Sequence, residues 1–348
     1  MSRLLEFEGG LSYAAAGVSI EAGDESVERM RAAVESTRRP EVLGAIGGFG
    51  GLFALSRHRD PVLVASADGV GTKLEVARQL ARYDTVGRDL VAMLVDDLVC
   101  VGAEPLFVLD YVAVGRVEPA RMAEVVAGVA EGCRLAGAAL LGGETAEHAG
   151  VMEPDEMDLA GFAVGVIERG RELGAPRVRP GDLLIGLASP GLRSNGYSLA
   201  RRVLAPPGTD LGAPAWAGAS VSLAEELLRP SVIYAPSVLR AVAELGEELH
   251  AVAHITGGGI AGNVLRVLPE GLGARIELDS FATPEIFFEI QRRGRVSGAE
   301  MTRVFNCGLG MVLAVAPGAR EAALALLGEH GPVVVGVVAE GSRAVELR

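Results

Sequence analysis

Aromatic residues make up only 4% of this 348-residue chain, cysteines number three, and there is a single lysine. Each scarcity excludes something. With so few rings the interior must be aliphatic, for which the 49% hydrophobic content is ample, and long disordered stretches are not expected. Cys100, Cys133 and Cys307 are odd in number and share no Cys-x-x-Cys spacing. Neither a disulfide framework nor a zinc cluster is therefore indicated, and a reducing, cytoplasmic setting is expected. No apolar run reaches the roughly 18 residues of a membrane span, and no basic start followed by an apolar core marks an export leader. The net charge of −13, with only short basic pairs such as Arg38-Arg39 and Arg292-Arg293, argues against nucleic-acid or membrane partners. A small anionic substrate held by local cations, metal ions or backbone amides remains compatible.

The lone lysine, Lys73, stands among 32 basic residues of which every other is arginine. It lies in "SADGVGTKL", Ser66–Leu74, after the apolar run Pro61–Ala65. A Walker loop fails, because no glycine precedes Gly71-Thr72-Lys73 at the required offset, and a dinucleotide fingerprint starting at Gly69 and Gly71 would need glycine where Leu74 stands. What remains is Asp68 at a strand end, able to hold a hard cation, and a glycine turn whose amides face phosphate. Lys73 would then be a compact charge on the same anion, a role that arginine's planar fork fills poorly. The plain alternative is a surface turn carrying an ordinary lysine.

Single cores stop growing at roughly 250–300 residues, so two domains are expected. Residues 1–60 combine a helix over about Glu25–Glu35 with a stretch too rich in glycine for regular structure, "TRRPEVLGAIGGFGG", which reads as a flap. Strands and helices then alternate: strand Pro61–Ser66, helix Arg88–Val101, strand Leu106–Val114, helix Pro119–Ala136, strand Ala138–Leu141 and strand Leu159–Ile167. Charge, glycine and two prolines in Glu168–Asp182 mark a linker, dividing a domain over 61–175 from one over 176–348. The second half repeats the pattern with strand Leu183–Ala188, helix Tyr197–Leu204, helices near Leu223–Leu228 and Val232–Leu245, and strand Leu249–Ile255. Facing halves of this kind would place their glycine turns around one cleft.

The three asparagines, Asn195, Asn263 and Asn306, all lie in or beside glycine turns, as tolerance of left-handed backbone or a functional role would each explain. Acids cluster near element ends at Asp96-Asp97, Glu104, Asp110 and Glu144. Asp68, Asp97 and Glu144 would suit Mg²⁺ if their strands are neighbours, since that ion takes one or two carboxylates plus water and phosphates; each alone is also an ordinary cap or solvated acid. In "HITGGGIAG", Gly257, Gly259 and Gly262 satisfy a dinucleotide fingerprint, with Glu277 about 20 residues on. The motif follows helical segments rather than a run of βαβ units. A helix N-terminus binding phosphate is the preferred interpretation, with His254 open between core packing and chemistry.

Together "SYAAAGV", "TRRPEVLGAIGGFG", "DGVGTKL", "DLVCVGAEPLFVLDY", "GGETAE", "SNGYSL", "HITGGG" and "FNCGLGM" span Ser12 to Met311, and they resemble the phosphoribosylformylglycinamidine cyclo-ligase family. Single motifs are shared with a wider superfamily that includes formylglycinamide ribonucleotide amidotransferase, selenide water dikinase and thiamine-monophosphate kinase. The resemblance implies an α+β fold of two α/β domains: a first domain whose mixed sheet forms a homodimer, and a second domain with a helix-flanked sheet. It implies ATP-dependent closure of formylglycinamidine ribonucleotide to aminoimidazole ribonucleotide, with ATP, Mg²⁺ and K⁺ as cofactors. Asp68, Asp97 and Glu144 would ligate metal, and Lys73 with Asp68 would be catalytic, Lys73 holding the transferring phosphate. Gly47, Gly48, Phe49, Gly50, Gly69, Gly71 and Thr72 would join Asp68, Lys73 and Asp97 on ATP. Ser194, Asn195, Gly196, His254, Thr256, Gly257, Gly258 and Gly259 would face the substrate. Departures from the family pattern are Ala14, Ala15 and Ser19, Asp96 for a usual asparagine, and Arg193 for a usual histidine. An ATP-dependent kinase or amidotransferase of the superfamily, a noncatalytic ligand-binding relative and a dinucleotide oxidoreductase are the competing functions.

Overall fold

Inward and outward side chains alternate along β1 (Pro61–Gly69), the first strand of the four-stranded sheet, and this period sets the whole first domain. The computed structural model describes residues 11–44, 47–48, 50–55 and 57–348, so Phe49 lies outside the described residues. In β1 the side chains of Val62, Val64, Ser66 and Asp68 turn toward a helical layer, while Leu63, Ala65 and Ala67 turn away and stay exposed. The layer consists of α1 (Ile20–Glu35), α2 (Val86–Cys100) and α3 (Pro119–Ala136). α3 has proline in its first turn and stops at Gly137, whose φ of 70° supplies the left-handed cap. α1 begins earlier than its apolar pattern predicts because the Ser19 hydroxyl accepts the Ala22 N–H and caps it at Ile20.

The remaining strands are β2 (Glu104–Val114), β3 (Ala139–Glu147) and β4 (Met157–Glu168). Their order is β1-β4-β2-β3, with β2 and β3 parallel and the other pairs antiparallel, giving the expected mixed sheet. β3 is longer than its sequence predicts, since Gly142-Gly143 continues the strand instead of ending it. A Cβ on Gly143 would lie 1.6 Å from the Asp110 carboxyl, so the glycine is there for close approach rather than for a turn. The sheet face away from the helices is left open, with Leu63 and Phe162 59% and 53% exposed.

The second domain contains β5 (Leu183–Ala188), α4 (Tyr197–Leu204), α5 (Ala235–Leu245), β6 (Leu249–His254), α6 (Gly259–Val264), β7 (Leu272–Ile276), β8 (Leu309–Val315), β9 (Val333–Glu340) and β10 (Val345–Leu347). The sheet order is β10-β7-β9-β5-β8-β6, antiparallel except for β10 with β7. β8 is buried at every residue, as its unbroken apolar run requires. α2 packs on both β6 and α5 and so joins the two domains. That position explains why α2 is buried almost all round, Asp89 and Asp96 included.

Candidate active site

Strand alternation delivers Asp68 to the helix face at the end of β1, and there it meets Asp97 near the end of α2. Asp97 accepts bonds from the Ser66 hydroxyl at 3.2 Å and from His254 Nδ1 at 2.8 Å, the latter reaching across from the second domain. Arg193 Nη1 lies 2.6 Å from His254 Nε2. A guanidinium only donates, so Nε2 must accept and Nδ1–H must donate to Asp97, which assigns the His254 tautomer.

The two carboxylates differ in character. Burial, and after it the Asp97 charge, pushes Asp68 above its ordinary value. Burial also works to raise Asp97, but hydrogen bonds from His254 and Ser66 outweigh it and hold Asp97 low. Two carboxylates are as many as Mg²⁺ ordinarily takes from a protein, the rest of its shell being water and phosphate. Among the described residues no group of three His, Cys, Asp or Glu side chains is set to hold a metal.

Glu144 does not join Asp68 and Asp97. It pairs with Tyr111, Tyr111 with Ala160, and Ala160 with Gly69, so three strand spacings, roughly 14 Å, separate it from the β1 edge. Alternation also turns Glu144 to the open face while Asp68 faces the helices. It lies instead by a cavity of about 640 Å³ that Gly47, Gly48 and Gly50 also line, so these glycines accompany Glu144 and not the aspartates.

Lys73 also departs from its expected place. It is wholly buried, touches Asp89 at 2.5 Å, and donates to the carbonyls of Arg229 at 2.8 Å and Arg193 at 3.2 Å. Asp89 in turn accepts the Ser231 N–H and hydroxyl, at 2.8 and 2.6 Å. The ammonium therefore pins the second domain, and its donors are spent on protein oxygens rather than on phosphate. Thr72 does the same work nearby, its hydroxyl 3.1 Å from that of Ser198. Gly71, at φ 67°, shapes this turn, and Gly69 is the last residue of β1.

Beside it lies a second buried ion pair, Arg193 with Asp96 at 2.7 Å. The other Asp96 oxygen accepts the N–H groups of Tyr234 and Ala235, capping α5 from the opposite domain. The two departures at Asp96 and Arg193 are thus each other's partners, and Asp89 lies on the same face of α2, two turns earlier. Opposite charges at the two unusual positions were the signal for this pair; Asp89, beside Arg88 in the first turn of α2, carried no signal of its own.

On the substrate side the two glycine turns meet, since a Cβ on Gly257 would lie 3.9 Å from Asn195 Nδ2. Ser194 Oγ and Asn195 Oδ1 are buried without a protein partner, whereas Asn263 is occupied in holding the carbonyls of Thr256, Gly257 and Gly259. Asn306 likewise clamps a turn, through Gly191 and Gly308. Gly196 and Gly259 are packing glycines: a Cβ would strike the Phe305 ring at 2.3 Å and the Thr302 carbonyl at 1.8 Å. Gly258, at φ 95°, completes the turn. The dinucleotide fingerprint is overturned here, because β6 is an edge strand paired antiparallel to β8 and α6 has only six residues.

Residues 52–167 match the family model "AIR synthase related protein, N-terminal domain" and residues 179–347 its C-terminal counterpart. A phosphoribosylformylglycinamidine cyclo-ligase of Desulfitobacterium hafniense is 50% identical over 310 residues, covering 88% of this chain and 90% of that protein. In fold, the chain is similar to thiamine-monophosphate kinase from Stenotrophomonas maltophilia (TM-score 0.64, 20% identity, 93% of this chain and 95% of that one). It is equally similar to the hydrogenase maturation protein HypE in complex with ATP (TM-score 0.65, 17% identity, 98% and 92%). With both halves matched and half the residues shared along nearly its whole length, this chain belongs to the phosphoribosylformylglycinamidine cyclo-ligase family.

Proposed function

We infer that the chain catalyses the ATP-dependent cyclisation of formylglycinamidine ribonucleotide to aminoimidazole ribonucleotide, releasing ADP and phosphate, a step of purine biosynthesis. The observation that carries this is the 50% identity to a named cyclo-ligase across 88% of the chain. Two unlike carboxylates, Asp68 and Asp97, and the close approach of the Asn195 and Gly257 turns support the reading. ATP would supply the phosphoryl group that turns the formyl oxygen of the substrate into a good leaving group, and a divalent cation would offset the phosphate charge.

The protein's own residues orient and stabilise. Asp68 and Asp97 would hold a divalent cation, with Asp97 fixed in place by His254 and Ser66. Ser194 and Asn195, whose buried oxygens lack protein partners, receive the substrate's donors, and the Gly257-Gly258 turn approaches it closely. Arg193 and Lys73 act at one remove, by holding the turn that carries Ser194. Such preorganised charge does most of the work in phosphoryl transfer.

Mixing protein, ATP, Mg²⁺ and formylglycinamidine ribonucleotide, with and without K⁺, should yield aminoimidazole ribonucleotide and ADP; no product would end the assignment. Asp97→Asn should lower kcat/KM by about 100-fold or more and raise the Mg²⁺ concentration for half-maximal rate. Turnover that is unaltered across a Mg²⁺ titration would remove the pair from the chemistry.

The open sheet face is the proposed dimer surface. Leu63 and Phe162 are large, exposed and on one side of a four-stranded sheet. Phe162→Asp should convert a dimer to a monomer in sedimentation equilibrium; a dimer that survives would place the interface elsewhere.

A further inference from the structure

Asp110 is an acid with no role in the cleft. It sits on β2, 8% exposed, and its Oδ2 has no hydrogen-bond partner among the described residues. Burial pushes its carboxyl up to about 7, no cation offsetting it. A buried acid without a partner is a liability that a leucine would remove, so its presence points to a partner from outside the chain.

That partner has a place to sit. Asp110 lines the cavity of about 640 Å³, within the usual size range of small-molecule sites. Its walls include Val27 and Met30 of α1, Val117 and Leu141, with the backbone of Gly48 and Gly143 on its borders. The absent Cβ at Gly143 is what leaves Asp110 Oδ1 its room. A slot of apolar side chains and bare backbone, with one carboxyl, suits a flat heteroaromatic ring that carries one polar edge.

We propose that Asp110 is the group that hydrogen-bonds the base edge of the purine nucleotide, seated in the cavity between α1 and β3. A carboxyl bearing its proton offers a donor and an acceptor side by side, which complements the ring nitrogen and 6-amino group of adenine. The inference rests on the ATP reading above, and it assigns the adenine to a place two strand spacings, roughly 10 Å, from Asp68, since Asp110 and Asp68 both pair with Gly161.

Isothermal titration of the metal-loaded protein with ADP, and with the diphosphate of purine riboside, which lacks the 6-amino group, separates the two ideas. Wild type should prefer ADP by about tenfold, the worth of one matched hydrogen bond. Asp110→Leu should bind both diphosphates alike, while Asp110→Asn, which keeps a donor and an acceptor, should retain the preference. Should Asp110→Leu fail to fold, Gly143→Ala is the second probe, because its new methyl displaces the carboxyl and should also abolish the preference. Full ADP preference in Asp110→Leu or Gly143→Ala would overturn the assignment of Asp110 alone. A wild-type protein that binds neither diphosphate would overturn the ATP reading with it.

Discussion

Lys73→Met is expected to destabilise the protein by about 3–5 kcal/mol, the usual consequence of removing one partner from a buried ion pair. The side chains of Lys73 and Asp89 are both 0% exposed, so the variant leaves a carboxylate inside the protein with only Ser231 to solvate it. It also releases the carbonyls of Arg193 and Arg229, and with them the anchor of the Ser194 turn. Against a total stability of about 5–15 kcal/mol, this is a large share. Urea denaturation followed by circular dichroism measures it. Adding Asp89→Asn to Lys73→Met should restore part of the loss by removing the stranded charge, and that recovery is specific to an ion-pair role. If Lys73→Met instead melts like wild type and abolishes ADP release, the ammonium serves phosphate after all.

Asp110→Asn should make the protein more stable, increasingly so toward high pH. Burial raises this carboxyl from 3.8 to about 7, so the folded state binds the proton more tightly than the unfolded chain. The penalty is absent below the unfolded value. It grows by about 1.4 kcal/mol per pH unit until the folded value is passed, and levels off near ~4 kcal/mol. Asparagine carries no charge at any of these pH values and escapes the penalty. Urea melts of both proteins at pH 5 and pH 8 should show the wider gap at pH 8. An equal gap at both would mean that the carboxyl ionises freely, and the cavity would lose its distinguishing feature.

Local signals in the sequence were legible where chemistry was local. Pro119 and Gly137 bound α3 at the residues expected, and the strand Leu183–Ala188 and helix Tyr197–Leu204 occur as their patterns indicate. Gly142-Gly143 misled because glycine between apolar runs marks a turn in most chains, whereas here it admits a carboxyl from the next strand. Asp68 and Asp97 came together because one strand face and one helix face suffice to join them.

Composition and motif order by themselves determined the aliphatic two-domain fold, the family, and that positions such as Lys73, Asp96 and Arg193 are exceptional. Only the tertiary structure decided what those residues do. An ammonium answers the nearest oxygens whether they belong to phosphate or to Asp89, and contacts between Lys73 and carbonyls 120 and 156 residues away exist only after two domains have docked. The face to which Glu144 turns was likewise set by strand register, where a shift of one residue reverses every side chain.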